Sequence, residues 1–436
     1  MSDILGSKRA GGAGGSGGDP EDRTPGGGDA ELSPNKRLRT TNTTADKGRD
    51  RDVIRDGTRP PPASSSSVKK GDPQTIVTFN INGAVPRMTK NWPEIEKFLT
   101  DNTPDLCCFQ EVRLPAKGIP KCKTDDDRGR KRGQQKDDTK KDREDIALMQ
   151  RTLLSLARRL GYRVVMSLAN SKKAGSAALI RWAIGLAGGA HFFFLFLRES
   201  VPVTQRCVLW SKKSVYLLKE HDREGRVIAI EYPSVTILAL YVPNNGSKDE
   251  SFQRRARWDS TIRRFGDSYK KKPLIILGDL NVAHRDADLT HPSYFKGMFP
   301  AASPQNSGQP GCTPAERERH SRLLEIGGGL VDAFRHLHPA TPEAEKGAGT
   351  NAEGITWRGT AGNQVAAMGR YYGKGMRIDY FLLSKALASR IKEVKVFGSG
   401  ADREGFLGSD HCPLMLTLLP RVEASEGAIG EKEGPC

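Results

Sequence analysis

Cysteine is scarce in this chain: seven residues in 436, an odd count, with no C-x-x-C pair among Cys107, Cys108, Cys122, Cys207, Cys312, Cys412 and Cys436. A zinc site or a disulfide framework is not expected, and a reducing compartment fits better. An apolar leader is also missing. Met1-Ser2-Asp3 soon gives way to glycines, so no secretory signal is expected. The longest apolar stretch lies in residues 177–206, where Ala177-Ala178-Leu179-Ile180-Arg181-Trp182 leads on to His191-Phe192-Phe193-Phe194-Leu195-Phe196-Leu197. Arg181 and His191 interrupt it, and a spanning helix there would cut a soluble domain in two. No membrane partner is expected, and the segment reads as an insertion between Ser176 and Cys207. Acidic residues fall short of basic ones, 52 against 69, for a formal net charge of +17.

That charge has a location. Residues 1–72 hold 13 Lys/Arg against 11 Asp/Glu, a net of +2, which leaves +15 for the rest of the chain. An acidic polymer is thus a plausible partner of the folded body. The first 72 residues are rich in Gly, Ser and Pro, as in Pro60-Pro61-Pro62-Ala63-Ser64-Ser65-Ser66-Ser67. Such a segment buries too little apolar surface to offset ordering entropy, and disorder is expected for 1–72 and for the tail 421–436. Lys36-Arg37-Leu38-Arg39 reads as a nuclear import address or as a solvated charge cluster.

Between the tails, residues 73–420 form one expected domain in which strands outnumber helices. Strands are expected at Thr75–Phe79, Leu106–Phe109, Val208–Trp210, Val215–Leu218, Val227–Tyr232, Val235–Val242, Pro273–Leu277, Arg377–Leu383 and Leu414–Leu419. Helical spacing marks Trp92–Leu99, Ile146–Leu160, Phe252–Phe265 and Pro314–Ile326, the last capped by Thr313 with Glu316 at capping-box distance. Residues 117–143 carry 11 Lys/Arg and 6 Asp/Glu with almost no apolar content, and read as a solvated loop insertion. The pattern as a whole points to an α/β sandwich of two sheets.

Polar residues recur where apolar strands stop: Asn80, Glu111, Tyr241 with Asn244, Asp279 with Asn281, Asp379, and Asp410 with His411. One such residue is ordinary turn chemistry. Six sites of acids, amides and a histidine match what metal-assisted phosphoester hydrolysis requires: hard oxygen ligands, a base for water, and donors for developing charge.

Six strings occur in the order of a known family: Asn80-Ile81-Asn82-Gly83, Gln110-Glu111, Tyr241-Val242-Pro243-Asn244, Gly278-Asp279-Leu280-Asn281-Val282-Ala283-His284, Arg377-Ile378-Asp379-Tyr380-Phe381 and Gly408-Ser409-Asp410-His411-Cys412-Pro413. The chain resembles the exonuclease III class of apurinic/apyrimidinic (AP) endonucleases over residues 74–419, apart from the two insertions. Gly369–Lys374 and Glu404–Leu407 look like the plant and protist members. The resemblance implies a DNase I-like, four-layer α/β sandwich of two packed mixed β-sheets flanked by helices. It implies Mg²⁺-dependent hydrolysis (Mn²⁺ as the alternative ion) of the phosphodiester 5′ to an abasic site in duplex DNA, by a monomer. Glu111 matches the principal metal-ligand glutamate, Asp410 an acid near the metal, and Asn82 a residue of the metal side where the animal enzyme has aspartate. Asp279 matches the residue that activates water, with Asn281 orienting it. Asn80, Asn244, Tyr241 and His411 match groups around the scissile phosphate, and Asp379 the acid that bonds the histidine.

The resemblance also has gaps. The family's Gly-Tyr-Ser/Ala-Gly string is missing before one core strand, where Gly175-Ser176 meets the insertion. Trp357, Met376 and Ile378 align with the apolar pocket for the baseless sugar, or are ordinary core. Arg87, Lys90, Arg113 and Lys374 are candidate phosphate contacts, or solvated cations. Superfamily alternatives, a phosphoinositide phosphatase or a sphingomyelinase, fit the Asn-Ile-Asn-Gly and Gly-Asp-Leu-Asn strings less well. A non-catalytic DNA-binding or regulatory homologue, inactivated by the 177–206 insertion, is the competing reading. The expected location is the nucleus, with mitochondrion and plastid as alternatives.

Overall fold

The computed structural model describes residues 71–114, 140–168, 174–181, 192–193, 225–246, 248–269, 272–301, 303–347, 353–359 and 369–421. The expected tails apart from residues 71, 72 and 421, the basic string at 36–39, most of the two insertions and the strands expected at 208–218 lie outside the described residues.

The chain opens with β1 (Thr75–Asn80), α1 (Ala84–Lys90), α2 (Trp92–Asn102) and β2 (Leu106–Gln110). Next come α3 (Lys140–Met149), a π-turn at Gln150–Leu154, α4 (Ser155–Arg159), β3 (Tyr162–Ser167), β4 (Ser176–Arg181) and the short β5 (Phe192–Phe193). Then follow β6 (Val227–Glu231), β7 (Thr236–Tyr241), α5 (Asp249–Ser268) and β8 (Leu274–Asp279). The last part holds α6 (Pro292–Lys296), α7 (Pro314–Leu324), β9 (Leu330–Asp332), α8 (Ala333–Leu337), β10 (Asp379–Ser384), β11 (Ile391–Val396) and β12 (Leu414–Leu418).

Two six-stranded sheets result, ordered β11-β12-β1-β2-β4-β3 and β5-β6-β7-β8-β10-β9. Each is mixed: β1 and β2 run parallel, as do β7 and β8, while the other pairs are antiparallel. The central strands are buried on both faces, which is why Leu274–Leu277 and Thr236–Leu240 read as continuous apolar runs rather than alternating ones. Between the sheets, Ile76, Cys108 and Ile180 of one meet Ile237, Ile275 and Phe381 of the other in one core. Helices α1 to α4 cover the outer face of the first sheet. On the outer face of the second, α5 lays down Trp258, Ile262 and Phe265, spaced to fall on one stripe. Trp258 is fully buried, and truncation to Ala there would cost about 3–5 kcal/mol. The order helix, sheet, sheet, helix is the four-layer sandwich.

Two boundaries move. Residues 177–181, expected to open an insertion, belong to β4, paired with β2 through Ala178–Cys108 and with β3 through Ala178–Val165. Arg181 disguises the strand in sequence; its guanidinium bonds the Thr103 carbonyl at 2.9 Å at the strand's end. Likewise residues 140–143, assigned to the basic loop, form the first turn of α3. The start of α7 follows its sequence signature, with Thr313 Oγ1 accepting from Glu316 N at 3.3 Å and Pro314 in the first turn. Among the described residues no helix is long and apolar enough to cross a membrane.

Candidate active site

Strand polarity gathers the polar strings at one edge of the sandwich. β1 and β2 end side by side at Asn80 and Gln110. In the other sheet, Tyr241, Asp279 and Asp379 stand in one row, as the ends of β7 and β8 and the start of β10. β1, β2 and β8 are followed by backbone that regular sheet does not allow. Asn82, Glu111 and Asn281 have φ of 45°, 52° and 48°, a left-handed conformation that turns the side chains out of the ladder. Gly278, at φ 127°, must be glycine, because a Cβ there would lie 2.0 Å from the Leu240 carbonyl oxygen.

The two sheets meet through one amide. Asn80 Nδ2 donates to Glu111 Oε1 at 3.1 Å and to Asp279 Oδ2 at 2.9 Å. Asp279 is completed by its own loop: Asn281 N donates to Oδ1 at 2.9 Å and Asn281 Nδ2 to Oδ2 at 3.1 Å. Asn281 also bonds the Val242 carbonyl at 2.8 Å and accepts from Asn244 Nδ2 at 3.2 Å, so the loops after β7 and β8 are tied together. On the far side His411 Nδ1 and Asp379 Oδ2 are 2.8 Å apart, and His411 Nε2 lies 3.9 Å from Asp279 Oδ2.

Electrostatics follow from this packing. Burial pushes the Asp279 carboxyl above the usual carboxylate range; the His411 charge pulls it down, while Asp379 and Glu111 push it further up. For His411, burial favours the neutral ring, but Asp379 and Asp279 outweigh it and raise the imidazole to about 10. Burial, then the nearby Glu111 charge, raises the Tyr241 phenol well above its ordinary value, which keeps it a donor. The Arg226 guanidinium lies 4.4 Å from the centre of the Tyr241 ring and bonds the Tyr241 carbonyl at 3.2 Å.

Asp279, Asp379 and His411 form the group of ligand-type atoms, within 4.8 Å of one another, that could hold a metal ion among the described residues. Its His411–Asp379 hydrogen bond already uses two of those atoms. The expected metal residues lie beside it. Glu111 is ion-paired with Arg113. Asp410 accepts from Trp357 Nε1 at 3.2 Å through Oδ2, while its Oδ1 is buried without a hydrogen-bond partner. That orphaned oxygen and the Glu111 carboxylate are the hard donors a divalent cation takes. Asn82 is half-buried, its backbone N–H donating to Asn80 Oδ1 at 3.0 Å.

The remaining candidates divide. Trp357 pairs with both Met376 and His411 through isolated bridges, and it packs against a buried cluster containing Met376 and Ile378. Met376 and Ile378 are each 3% exposed and packed within that cluster, while Trp357 at its edge is half-buried. Arg87 is half-buried with Nε and Nη1 lacking partners. Lys90 is exposed, and the Lys374 ammonium sits 4.6 Å from the Tyr294 ring centre. The start of β4, which the missing family string left open, is in place: Val112 N bonds the Gly175 carbonyl and Arg113 N the Ala174 carbonyl, both at 2.9 Å.

Three positioning groups had no reading in sequence. Arg255 of α5, 2% exposed, donates to the carbonyls of Pro243 at 3.0 Å, Leu280 at 2.9 Å and Asn281 at 3.1 Å, fixing the loops after β7 and β8. Thr356 Oγ1 accepts from Ile378 N and Asp379 N, each at 3.1 Å. Ser409 Oγ donates to the Asn80 carbonyl at 2.7 Å and accepts from His411 N at 3.2 Å, joining the last string to the first. The Arg255–Asp259 pair at helical spacing was the available signal, but such pairs usually face solvent.

Comparison with known proteins agrees with this geometry. The model of the endonuclease/exonuclease/phosphatase family matches residues 77–411. A DNA-(apurinic or apyrimidinic site) endonuclease of Arabidopsis thaliana is 37% identical over 377 residues, covering 83% of this chain and 89% of that protein. One from Plasmodium falciparum is 33% identical across 80% of this chain, which spans 55% of that protein's length. Among solved structures, AP endonuclease LMAP of Leishmania major superposes with a TM-score of 0.51 at 20% identity, covering 80% of this chain and 88% of that one. The Neisseria 3′ phosphatase NExo bound to a product DNA hairpin gives 0.50 at 22% identity, covering 79% and 99%. The chain therefore belongs to the endonuclease/exonuclease/phosphatase family and, within it, to the nucleases of the exonuclease III class of AP endonucleases.

Proposed function

We propose that this protein is a Mg²⁺-dependent endonuclease of base excision repair that hydrolyses the phosphodiester 5′ to an abasic site in duplex DNA. The observation that carries the reading is the unbroken chain of contacts Glu111–Asn80–Asp279–His411–Asp379 across the two sheets. Glu111, Asp410 and Asn82 would hold the cation, which supplies positive charge at the phosphate when bound. Asp279, raised by burial, takes the proton of the attacking water, and Asn281 fixes which oxygen faces it. His411, kept charged by Asp379, donates toward the phosphate, as do the amides of Asn80 and Asn244 and the Tyr241 phenol. Trp357, Met376 and Ile378 receive the baseless sugar; Arg87, Lys90, Arg113 and Lys374 hold the flanking phosphates.

Secondary 3′-phosphodiesterase and 3′→5′ exonuclease activities use the same phosphate site. A monomer acting in the nucleus is the working state, with Lys36-Arg37-Leu38-Arg39 as the import address. The inactive-homologue reading rested on the 177–206 insertion disturbing the sheet, and β4 pairs with β2 and β3 up to Arg181. The test is a duplex carrying one tetrahydrofuran abasic analogue, with Mg²⁺ and then with EDTA. Incision with Mg²⁺ that leaves a 3′-hydroxyl supports the reading; equal cutting in EDTA, or none in either, sinks it.

A further inference from the structure

Among the described residues only three large apolar side chains are exposed; one, Phe299 at 38%, lies under the Arg370 guanidinium, and another, Tyr372 at 41%, follows Arg370 by two residues in sequence. Arg370 is exposed, its guanidinium 4.7 Å from the Phe299 ring centre and 5.7 Å from that of Tyr371. Its carbonyl accepts from Tyr294 at 2.7 Å, which fastens the segment carrying Tyr372 to the segment carrying Phe299. Tyr371 in turn meets Trp357 edge-on, with ring centres 5.0 Å apart, and Trp357 bonds Asp410. The group thus begins at Trp357, beside the buried cluster of Met376 and Ile378, and leads outward to the exposed Arg370.

A scattered exposed aromatic needs no explanation. Phe299 is different, because its backbone has φ of 49°, a conformation that glycine or asparagine adopts far more readily than a bulky residue. The ring is held outward at a position where a smaller residue would be easier to place. Such local backbone strain is a pointer to function. Aromatic faces interleaved with guanidinium and ammonium groups match the two components of an exposed nucleic-acid strand, base faces and phosphates.

We propose that Phe299, Arg370 and Tyr372 form a ledge on which an unpaired nucleobase of the bound DNA stacks, next to the pocket for the baseless sugar. The inference rests on the nuclease reading above. The base has two sources: the one opposite the lesion in a duplex, or a neighbour of the lesion in a single strand. Both offer a bare π-face.

The full-length protein is tested in EDTA, with fluorescence anisotropy to follow binding and 2-aminopurine to report stacking. One oligonucleotide is a duplex with 2-aminopurine opposite a tetrahydrofuran site; the other is a single strand with 2-aminopurine beside it. Wild type should quench the probe at least twofold in one arm, and that arm identifies the source. The Phe299→Ala/Tyr372→Ala double variant should lose that quench while Phe299→Trp keeps it. Both side chains are exposed, so thermal melting of the variants should match wild type. Quenching by the double variant equal to wild type in both arms overturns the ledge, provided wild type incises the abasic duplex with Mg²⁺. Failure of wild type to bind or incise abasic DNA at all would instead remove the nuclease reading, and the ledge with it.

Discussion

Asn80 and Asp279 stand 199 residues apart in sequence, in different sheets, and their side chains meet at 2.9 Å. The same Asn80 amide reaches Glu111. The Asp279 side and the Glu111 side of the site are therefore coupled through one residue at the seam of the sandwich. Catalytic geometry here is a property of how the sheets pack, and groups that hold the loops at that seam should matter as much as those facing substrate.

Arg255 is the clearest such group. Its guanidinium holds three loop carbonyls, so Arg255→Lys should preserve a charge but lose the fork that satisfies them. Displacement of the Asp279 and Asn244 loops by a fraction of an ångström should lower kcat by roughly 10- to 100-fold, with KM little changed. Steady-state kinetics on an abasic duplex measures the split; a pure KM effect would assign Arg255 to substrate binding instead.

Glu111 and Arg113 form an ion pair in which the arginine side chain is 44% exposed. A cation binding at Glu111 competes with that pair. A half-exposed pair contributes about 1 kcal/mol or less, so Arg113→Gln should tighten Mg²⁺ binding by up to about fivefold. Calorimetric titration of the DNA-free protein reads this directly, and weaker Mg²⁺ binding by the variant would contradict it.

The pH dependence should centre on His411. Its folded value is raised to about 10 from an ordinary 6.5, so its contribution to stability is full below about 6.5 and is lost as pH rises through about 10. Asp379→Asn removes the strongest raising charge and leaves at most a neutral hydrogen bond in its place. The variant's alkaline limb in kcat/KM should move toward neutral pH, and its unfolding free energy should decline less between pH 7 and 10 than that of wild type. Identical alkaline limbs would show that Asp379 does not hold the charge on His411.

Lys90 and Lys374 should act through phosphates alone. Replacing either with Ala should weaken DNA binding for all sequences alike and reduce the slope of log K against log salt by about 1. An unchanged slope would leave that lysine a solvated surface cation.

Much of this arrangement was legible in the sequence because polar residues interrupt apolar strands, and Asn80, Glu111, Tyr241, Asp279 and Asp379 do so at strand ends. What escaped depends on contacts distant along the chain. Ser176–Arg181 ends in a charged residue and merges with an apolar run, so the strand was hidden in what looked like an insertion. Ile391–Val396 is an edge strand, and its Lys392, Glu393 and Lys395 mask the alternation. Arg255 reads as a solvent-facing helix residue, because nothing nearby in sequence shows that loop carbonyls converge on it. The same applies to Phe299, whose left-handed backbone no residue pattern announces.

The most direct test of the account is single-turnover incision of a tetrahydrofuran-containing duplex in Mg²⁺ by wild type and by Asp279→Asn. Loss of the base should slow incision by about 10²- to 10⁴-fold while DNA binding, followed by anisotropy, stays within a few-fold of wild type. Incision by Asp279→Asn at the wild-type rate would contradict the assignment of water activation to Asp279, and with it the account of this site.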